Sequence, residues 1–283
     1  MQLIVEPDDG VEPVIKAIDR AKKTIDIVIF RFDIDAIEKA ITAAVARGVT
    51  VRALIAHTNH GGESKLRKLE SRLLGVGATL SRTADDMVRY HGKLLVIDRT
   101  RAYAFGFNYT HQDIEKSRSF GLVTRNPKIV HDIVKVIDAD HDRAALEISS
   151  SRVVVSPENA RERLGGFIRC AKRELLIYDT NVSDDKMIAL LKERAEAGVK
   201  IKVLGKVEKK WVSEMVWRIR PFTSMRLHVR CMIRDRKAAF VGSQSLRKLE
   251  LDHRREVGLI TKDIRTVRRM AAVFDGDWKK NRG

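Results

Sequence analysis

The segment Ala21-Lys22-Lys23-Thr24-Ile25-Asp26-Ile27 returns as Ala171-Lys172-Arg173-Glu174-Leu175-Leu176-Ile177, and Arg47-Gly48-Val49-Thr50-Val51-Arg52-Ala53-Leu54 returns as Ala197-Gly198-Val199-Lys200-Ile201-Lys202-Val203-Leu204. Both pairs lie 150 residues apart (171 − 21 and 198 − 48). An offset held without a gap over such a stretch marks an internal duplication, so the fold has to be assembled from two like halves. With 283 residues, each half has the size of an ordinary domain. The boundary is expected between Glu147 and Arg152, around Ser149-Ser150-Ser151, giving repeats over 1–148 and 149–283.

Within each copy, helical and strand patterns alternate. In the first, Val14, Ile15, Ile18 and Ala21 mark a helix, Ile25 to Phe32 a strand, Ile34 to Ala46 a second helix and Val49 to Ile55 a strand, with Gly48 as a left-handed cap. The second copy repeats this order: strand Val153 to Val155, helix Glu158 to Ala171, strand Leu175 to Tyr178, helix Asp184 to Ala197 and strand Val199 to Leu204. Closing helices are expected over Pro127 to Leu146 and Ile264 to Trp278. This alternation predicts an α/β fold, a mixed sheet flanked by helices in each repeat.

Fifty-five Lys and Arg against 38 Asp and Glu leave a net charge of +17, which favours polyanionic partners, either nucleic acid or an anionic membrane surface. No secretory leader is evident at Met1 to Asp9 and no apolar run reaches spanning length, so a cytoplasmic location, peripheral at most to the inner face of a membrane, is expected. Two cysteines, Cys170 and Cys231, make neither a disulfide scaffold nor a zinc cluster and read as reduced core residues. Val207 to Phe222 reads as an amphipathic helix, with Val207, Trp211, Val212, Met215, Val216 and Ile219 on one face and Lys209, Lys210, Arg218 and Arg220 off it. Such a helix suits a membrane interface, or equally a core-facing position like that of Lys65 to Leu74.

Chemistry concentrates in His91-Gly92-Lys93-Leu94-Leu95-Val96-Ile97-Asp98, a His-x-Lys with an Asp five residues after the Lys. The second copy carries His228-Val229-Arg230-Cys231-Met232-Ile233-Arg234-Asp235 at the matching place. Downstream, Phe105-Gly106-Phe107-Asn108 parallels Val241-Gly242-Ser243-Gln244. Breaking a phosphodiester needs a nucleophile, an acid opposite it and cations on the non-bridging oxygens, and paired histidines with paired cations supply that set.

With these motifs the chain resembles the phospholipase D superfamily, whose mark is a pair of His-x-Lys-x4-Asp motifs, each followed by a Gly-Ser-x-Asn-like segment. The resemblance covers nearly the whole chain, including Arg255-Glu256-Val257-Gly258. It implies two repeats related by a pseudo-twofold axis with one shared active site, a phosphohistidine intermediate and no cofactor or metal. His91 and His228 would be the catalytic pair, with Lys93, Arg230 and Asn108 clamping the phosphate, Ser243 and Gln244 supporting, and Glu256 reaching His91. Ser119, which stands where Glu256 stands in the other copy, would leave His228 with a neutral neighbour, and this asymmetry casts His91 as nucleophile. Asp98 and Asp235 end apolar strands, where turn hydrogen bonding is expected of them. Three departures from the pattern stand out: Arg230 for Lys, Phe107 for Ser and Gln244 for Asn.

The resemblance implies a phosphodiesterase or phosphatidyltransferase. Two substrate classes fit: a phospholipid head group, hydrolysed or exchanged as in phospholipase D and cardiolipin synthase-like members, or a nucleic-acid phosphodiester. The charge supports the second, since phosphate contacts dominate nucleic-acid affinity. The scarcity of aromatics, 6% of residues, counts against a stacking platform for single strands.

Overall fold

The chain builds two eight-stranded mixed sheets that share a core between them. A computed structural model describes residues 1–57, 63–208 and 217–281. The first half runs β1 (Gln2–Glu6), α1 (Glu12–Asp19), β2 (Thr24–Ile29), α2 (Asp35–Ala46), β3 (Thr50–Ile55), α3 (Glu63–Gly75), β4 (Thr79–Arg82), β5 (Arg89–Tyr90), β6 (Leu94–Ile97), β7 (Arg101–Phe105), α4 (His111–Glu115), β8 (Ser117–Thr124) and α5 (Pro127–Asp142). The second runs β9 (Val153–Ser156), α6 (Ala160–Arg169), β10 (Glu174–Val182), α7 (Asp185–Glu196), β11 (Lys200–Val207), β12 (Arg218–Arg220), β13 (Arg226–Leu227), β14 (Arg230–Arg234), β15 (Ala238–Gly242), α8 (Lys248–Asp252), β16 (Arg254–Thr261) and α9 (Ile264–Lys280).

In the first sheet β2, β3 and β4 are parallel, with α2 and α3 as crossovers, while β6, β7, β8 and β1 continue antiparallel. The second sheet repeats this with β10, β11 and β12 parallel, then β14, β15, β16 and β9 antiparallel. Period-2 alternation sends one face of each sheet inward. Leu3, Val5, Phe120 and Leu122 meet Val153, Val155, Val257 and Leu259 in the inner core, closed by Ile133 and Val136 of α5 and Met270 and Phe274 of α9. The opposite faces bury α1 and α2 on one side and α6 and α7 on the other.

Gly48 and Gly198, ending α2 and α7, have φ of +82° and +88°, the left-handed cap expected of them. Cys231 is buried, but Cys170 is exposed at the end of α6, where the last turn leaves the core. Of the amphipathic helix expected over Val207 to Phe222, residues 209–216 lie outside the described residues, and Arg218–Arg220 form a strand paired with β11. The parallel ladder takes up Val207 at one end of that segment and Arg218–Arg220 near the other. Among the described residues no helix is long and apolar enough to cross a membrane.

One topological detail places the chemistry. The short strand β5 leaves its own sheet and pairs with β16, while β13 leaves the second sheet and pairs with β8. Each half thus hands a strand to the other, and the residue following each exchanged strand is a motif histidine.

Candidate active site

The exchanged strands set the histidines by backbone bonds across the halves: His91 N–H donates to the Arg255 carbonyl (2.8 Å) and His228 N–H to the Arg118 carbonyl (3.1 Å). Arg118 and Arg255 pin the receiving strands in the same way. Each guanidinium donates to a neighbouring-strand carbonyl, Glu6 O at 2.9 Å and Ser156 O at 3.1 Å, and each bonds a buried carboxylate, Asp277 and Asp140. Both histidines open into one cleft of about 360 Å³, lined also by Asn108, Asp113, Glu250 and Arg230. Arg31, Arg89, Arg226, Arg247 and Arg254 complete its charged wall, with Phe30 and Leu227 as its apolar members and Thr180 beside them.

His91 Nδ1 is held by both Glu256 oxygens at 3.1 and 3.0 Å, which leaves Nε2 as the free ring nitrogen. Burial, then the charges of Lys93 and Arg230, hold the His91 pKa well below the ordinary imidazole value. The ring is therefore neutral near pH 7, as a nucleophile must be. Burial also pushes the Glu256 carboxyl up. Lys93, fully buried, donates from Nζ to the His91 carbonyl (2.7 Å), and burial pulls its pKa down to about 7. Arg230 repeats that bond with the His228 carbonyl (3.0 Å).

His228 differs from the sequence expectation. Ser119 Oγ is buried with no hydrogen-bond partner among the described residues, and the charged group facing the ring is Asp113, whose Oδ2 lies 3.4 Å from Nδ1. Burial and Arg230 press the His228 pKa well below its usual value, while Asp113 works the other way. Burial would raise Asp113, but His228 and the Asn108 hydrogen bonds hold it below the usual carboxylate range.

The strand ladders correct the alignment of the downstream segments. Phe105 N–H meets the Lys93 carbonyl, and Gly242 pairs with Arg230, so Asn108 corresponds to Ser245 and Phe107 to Gln244. Gln244 is consequently not a cleft donor: its Nε2 donates to the Val154 carbonyl (3.1 Å) on the far side. Ser243 is also withdrawn from the cleft, supporting the Glu256 carboxylate and accepting from Val257 N–H (3.1 Å). Asn108 does line the cleft, with one amide hydrogen given to Asp113 (2.7 Å). Ser245 takes the matching place, its N–H donating to Glu250 (2.6 Å) and its hydroxyl accepting from Arg230 Nε (3.3 Å).

Asp98 and Asp235 lie away from the cleft. Asp98 accepts from the backbone N–H groups of Lys22, Lys23 and Thr24, and Asp235 from those of Lys172, Arg173 and Glu174, each closing the turn that enters β2 or β10. The sequence reading missed Asp113 and Glu250, and Arg89 and Arg226. Each pair recurs at the same 137-residue spacing as His91 and His228 (250 − 113, 226 − 89, 228 − 91), a signal that was available.

The family model described as cardiolipin synthase, PLD-like domain, matches residues 14–141 and 166–278. No curated protein matches the sequence. Among solved structures, a polyphosphate kinase from Porphyromonas gingivalis superposes with a TM-score of 0.80 at 20% identity, over 98% of this chain and 50% of that one. The chain thus spans half of that protein's length. Phosphatidylserine synthase from Haemophilus influenzae Rd KW20 superposes at 0.73 with 10% identity, over 99% and 86% of the two chains. The phospholipase D family member Nuc from Salmonella typhimurium covers 52% of this chain with 97% of its own, at 23% identity and a TM-score of 0.45. At identities this low the first two likenesses establish the fold.

Proposed function

This chain belongs to the cardiolipin synthase, PLD-like domain family, and we propose that it breaks or exchanges a phosphodiester through a phosphohistidine on His91. The observation that carries this reading is the pairing of His91 Nδ1 with the Glu256 carboxylate in a cleft that also holds His228. His91 Nε2 attacks phosphorus as the bond to the leaving oxygen breaks, and His228 gives its proton to that oxygen. Water or an alcohol then loses a proton to His228 and attacks phosphorus, the P–N bond breaks, and His91 is regenerated. Lys93 and Arg230 supply the positive field on the non-bridging oxygens, and Glu256 compensates the charge that the phosphorylated imidazole acquires.

A phospholipid head group is the substrate that the family description suggests. The second reading, a nucleic-acid strand, is favoured by the arginine-rich lining of the cleft, in which Arg31 and Arg89 have no ion-pair partner among the described residues and can meet further phosphates.

The test is covalent labelling with a 32P-labelled p-nitrophenyl phosphodiester in the presence of chelator. His91→Asn abolishes both turnover and acid-labile label. His228→Asn slows turnover yet keeps label, since p-nitrophenolate departs without a proton. Label retained in His91→Asn and lost in His228→Asn would exchange the two roles.

A further inference from the structure

The two sides of the cleft are not equivalent in charge, and the inequality has a local cause. Arg226 is neutralised by Asp113 (2.5 Å) and steadied by Ser117 Oγ (3.0 Å). Its twofold mate Arg89 has Glu250 as the corresponding acid, but the position of Ser117 is taken there by Arg254 (254 − 117 equals 228 − 91). Arg254 binds Glu250 at 3.3 Å, joined by Arg247 at 3.4 Å, and Arg89 is left with no carboxylate partner among the described residues. Burial, then the charge of Arg254, lowers its pKa, with Glu256 and Glu250 working the other way.

Arg89 lies 5.2 Å from the centre of the Phe30 ring, and Arg31, exposed and also without a carboxylate partner among the described residues, lies 5.8 Å from it. Phe30 in turn packs edge-on against His91, ring centres 5.3 Å apart. At the corresponding places in the second half stand the neutral Thr180 and Asn181 (30 and 31 plus the repeat offset). Among the described residues two arginines without an ion-pair partner therefore flank Phe30 beside His91, and nothing equivalent stands beside His228.

We propose that Arg31 and Arg89 form a second anion subsite that takes a phosphate one link from the scissile phosphodiester, so that the substrate carries consecutive phosphates, as a nucleic-acid strand does. The inference rests on the phosphohistidine reading above. Phe30 and Arg31 also line a neighbouring groove of about 430 Å³ with Phe32, Leu66, Leu69 and Lys68, in which Asp33 also lies and Arg72 is paired with Glu38 at 2.9 Å, an apolar path along which a strand could continue from Arg31. A phospholipid with one phosphodiester leaves Arg31 and Arg89 without a ligand.

Thymidine 5′-(p-nitrophenyl phosphate) and the same ester carrying a 3′-phosphate separate the cases. The 3′-phosphate is expected to raise kcat/KM by about 10- to 100-fold through charge-assisted contacts. That ratio should fall toward one in Arg31→Met and Arg89→Met, with Arg89→Lys intermediate as a control for folding. A ratio near one in the unaltered protein, with both esters cleaved, overturns the subsite and leaves the phosphohistidine reading intact. A high ratio that survives both Met substitutions overturns the assignment to these arginines. If neither ester is cleaved nor His91 labelled, the functional reading fails and takes the subsite with it.

Discussion

His91 and Glu256, 165 residues apart in the chain, are joined by a hydrogen-bonded contact of 3.0 to 3.1 Å between the imidazole Nδ1 and both carboxylate oxygens. The contact crosses from one repeat to the other; across the cleft His228 Nδ1 faces a carboxylate of the first repeat, Asp113, but at 3.4 Å and with no hydrogen bond among the described residues. In each half the antiparallel rung beside the histidine pairs one glutamate with one serine, Glu256 with Ser156 and Glu6 with Ser119, but the two residues sit on exchanged strands. The carboxylate therefore reaches His91 directly, whereas Ser119 takes the equivalent place toward His228.

If Glu256 orients the nucleophile and balances the charge of the intermediate, Glu256→Gln keeps the shape and loses the charge. A fall in kcat of about 100-fold is expected, with the Kd for a phosphate analogue such as tungstate little changed. Steady-state kinetics and calorimetric titration measure the two separately, and an unaltered kcat would falsify the role.

His228 must be protonated to act as an acid, yet burial and Arg230 hold it well below 6.5 in the empty cleft. A bound anion offsets Arg230 and Lys93, so the His228 pKa is expected to rise on adding tungstate. Histidine NMR titration reads this directly. For stability the sign is opposite to that of a paired histidine: the unfolded chain binds protons below about pH 6.5 that the folded chain refuses, so stability falls as pH drops through that value.

Glu6 is buried, and burial raises its pKa from 4.5 to about 8 against the opposing pull of the Gly10 backbone N–H. Its contribution to stability is complete below about pH 4.5 and is lost as pH rises through about 8. Glu6→Gln, neutral throughout, should match the unaltered protein at pH 4 and exceed it at pH 8.5 by at most about 5 kcal/mol, about 1.4 kcal/mol for each pKa unit between 4.5 and about 8. Thermal melts across that range check this, and a Tm difference that does not grow with pH contradicts it.

Asp98 and Asp235 each accept three backbone N–H groups at the entry to a central strand. Asp98→Ala and Asp235→Ala should each lower stability by about 1–2 kcal/mol, because the turn donors lose their acceptor. Neither residue lines the cleft, so kcat at a temperature well below Tm should be retained. Urea unfolding paired with the ester assay distinguishes this from a catalytic role.

The duplication, the order of strands and helices, the capping glycines and the positions of His91, Lys93, His228 and Arg230 were determined by the sequence alone. These features are local: the period of apolar residues and the chemistry of a turn are written within ten or twenty residues. What faces what was decided only by the folded chain. The exchange of β5 and β13 joins residues more than a hundred positions apart, and it selects Asp113 rather than Ser119 as the charged neighbour of His228. The placement of Gln244 and Ser243 outside the cleft follows from a ladder rung, Gly242 against Arg230, where matching the glycines Gly106 and Gly242 by eye shifts the register by one. In a strand one residue of slip turns every side chain to the opposite face, so a register error that leaves the motif recognisable still reverses which donors reach the substrate.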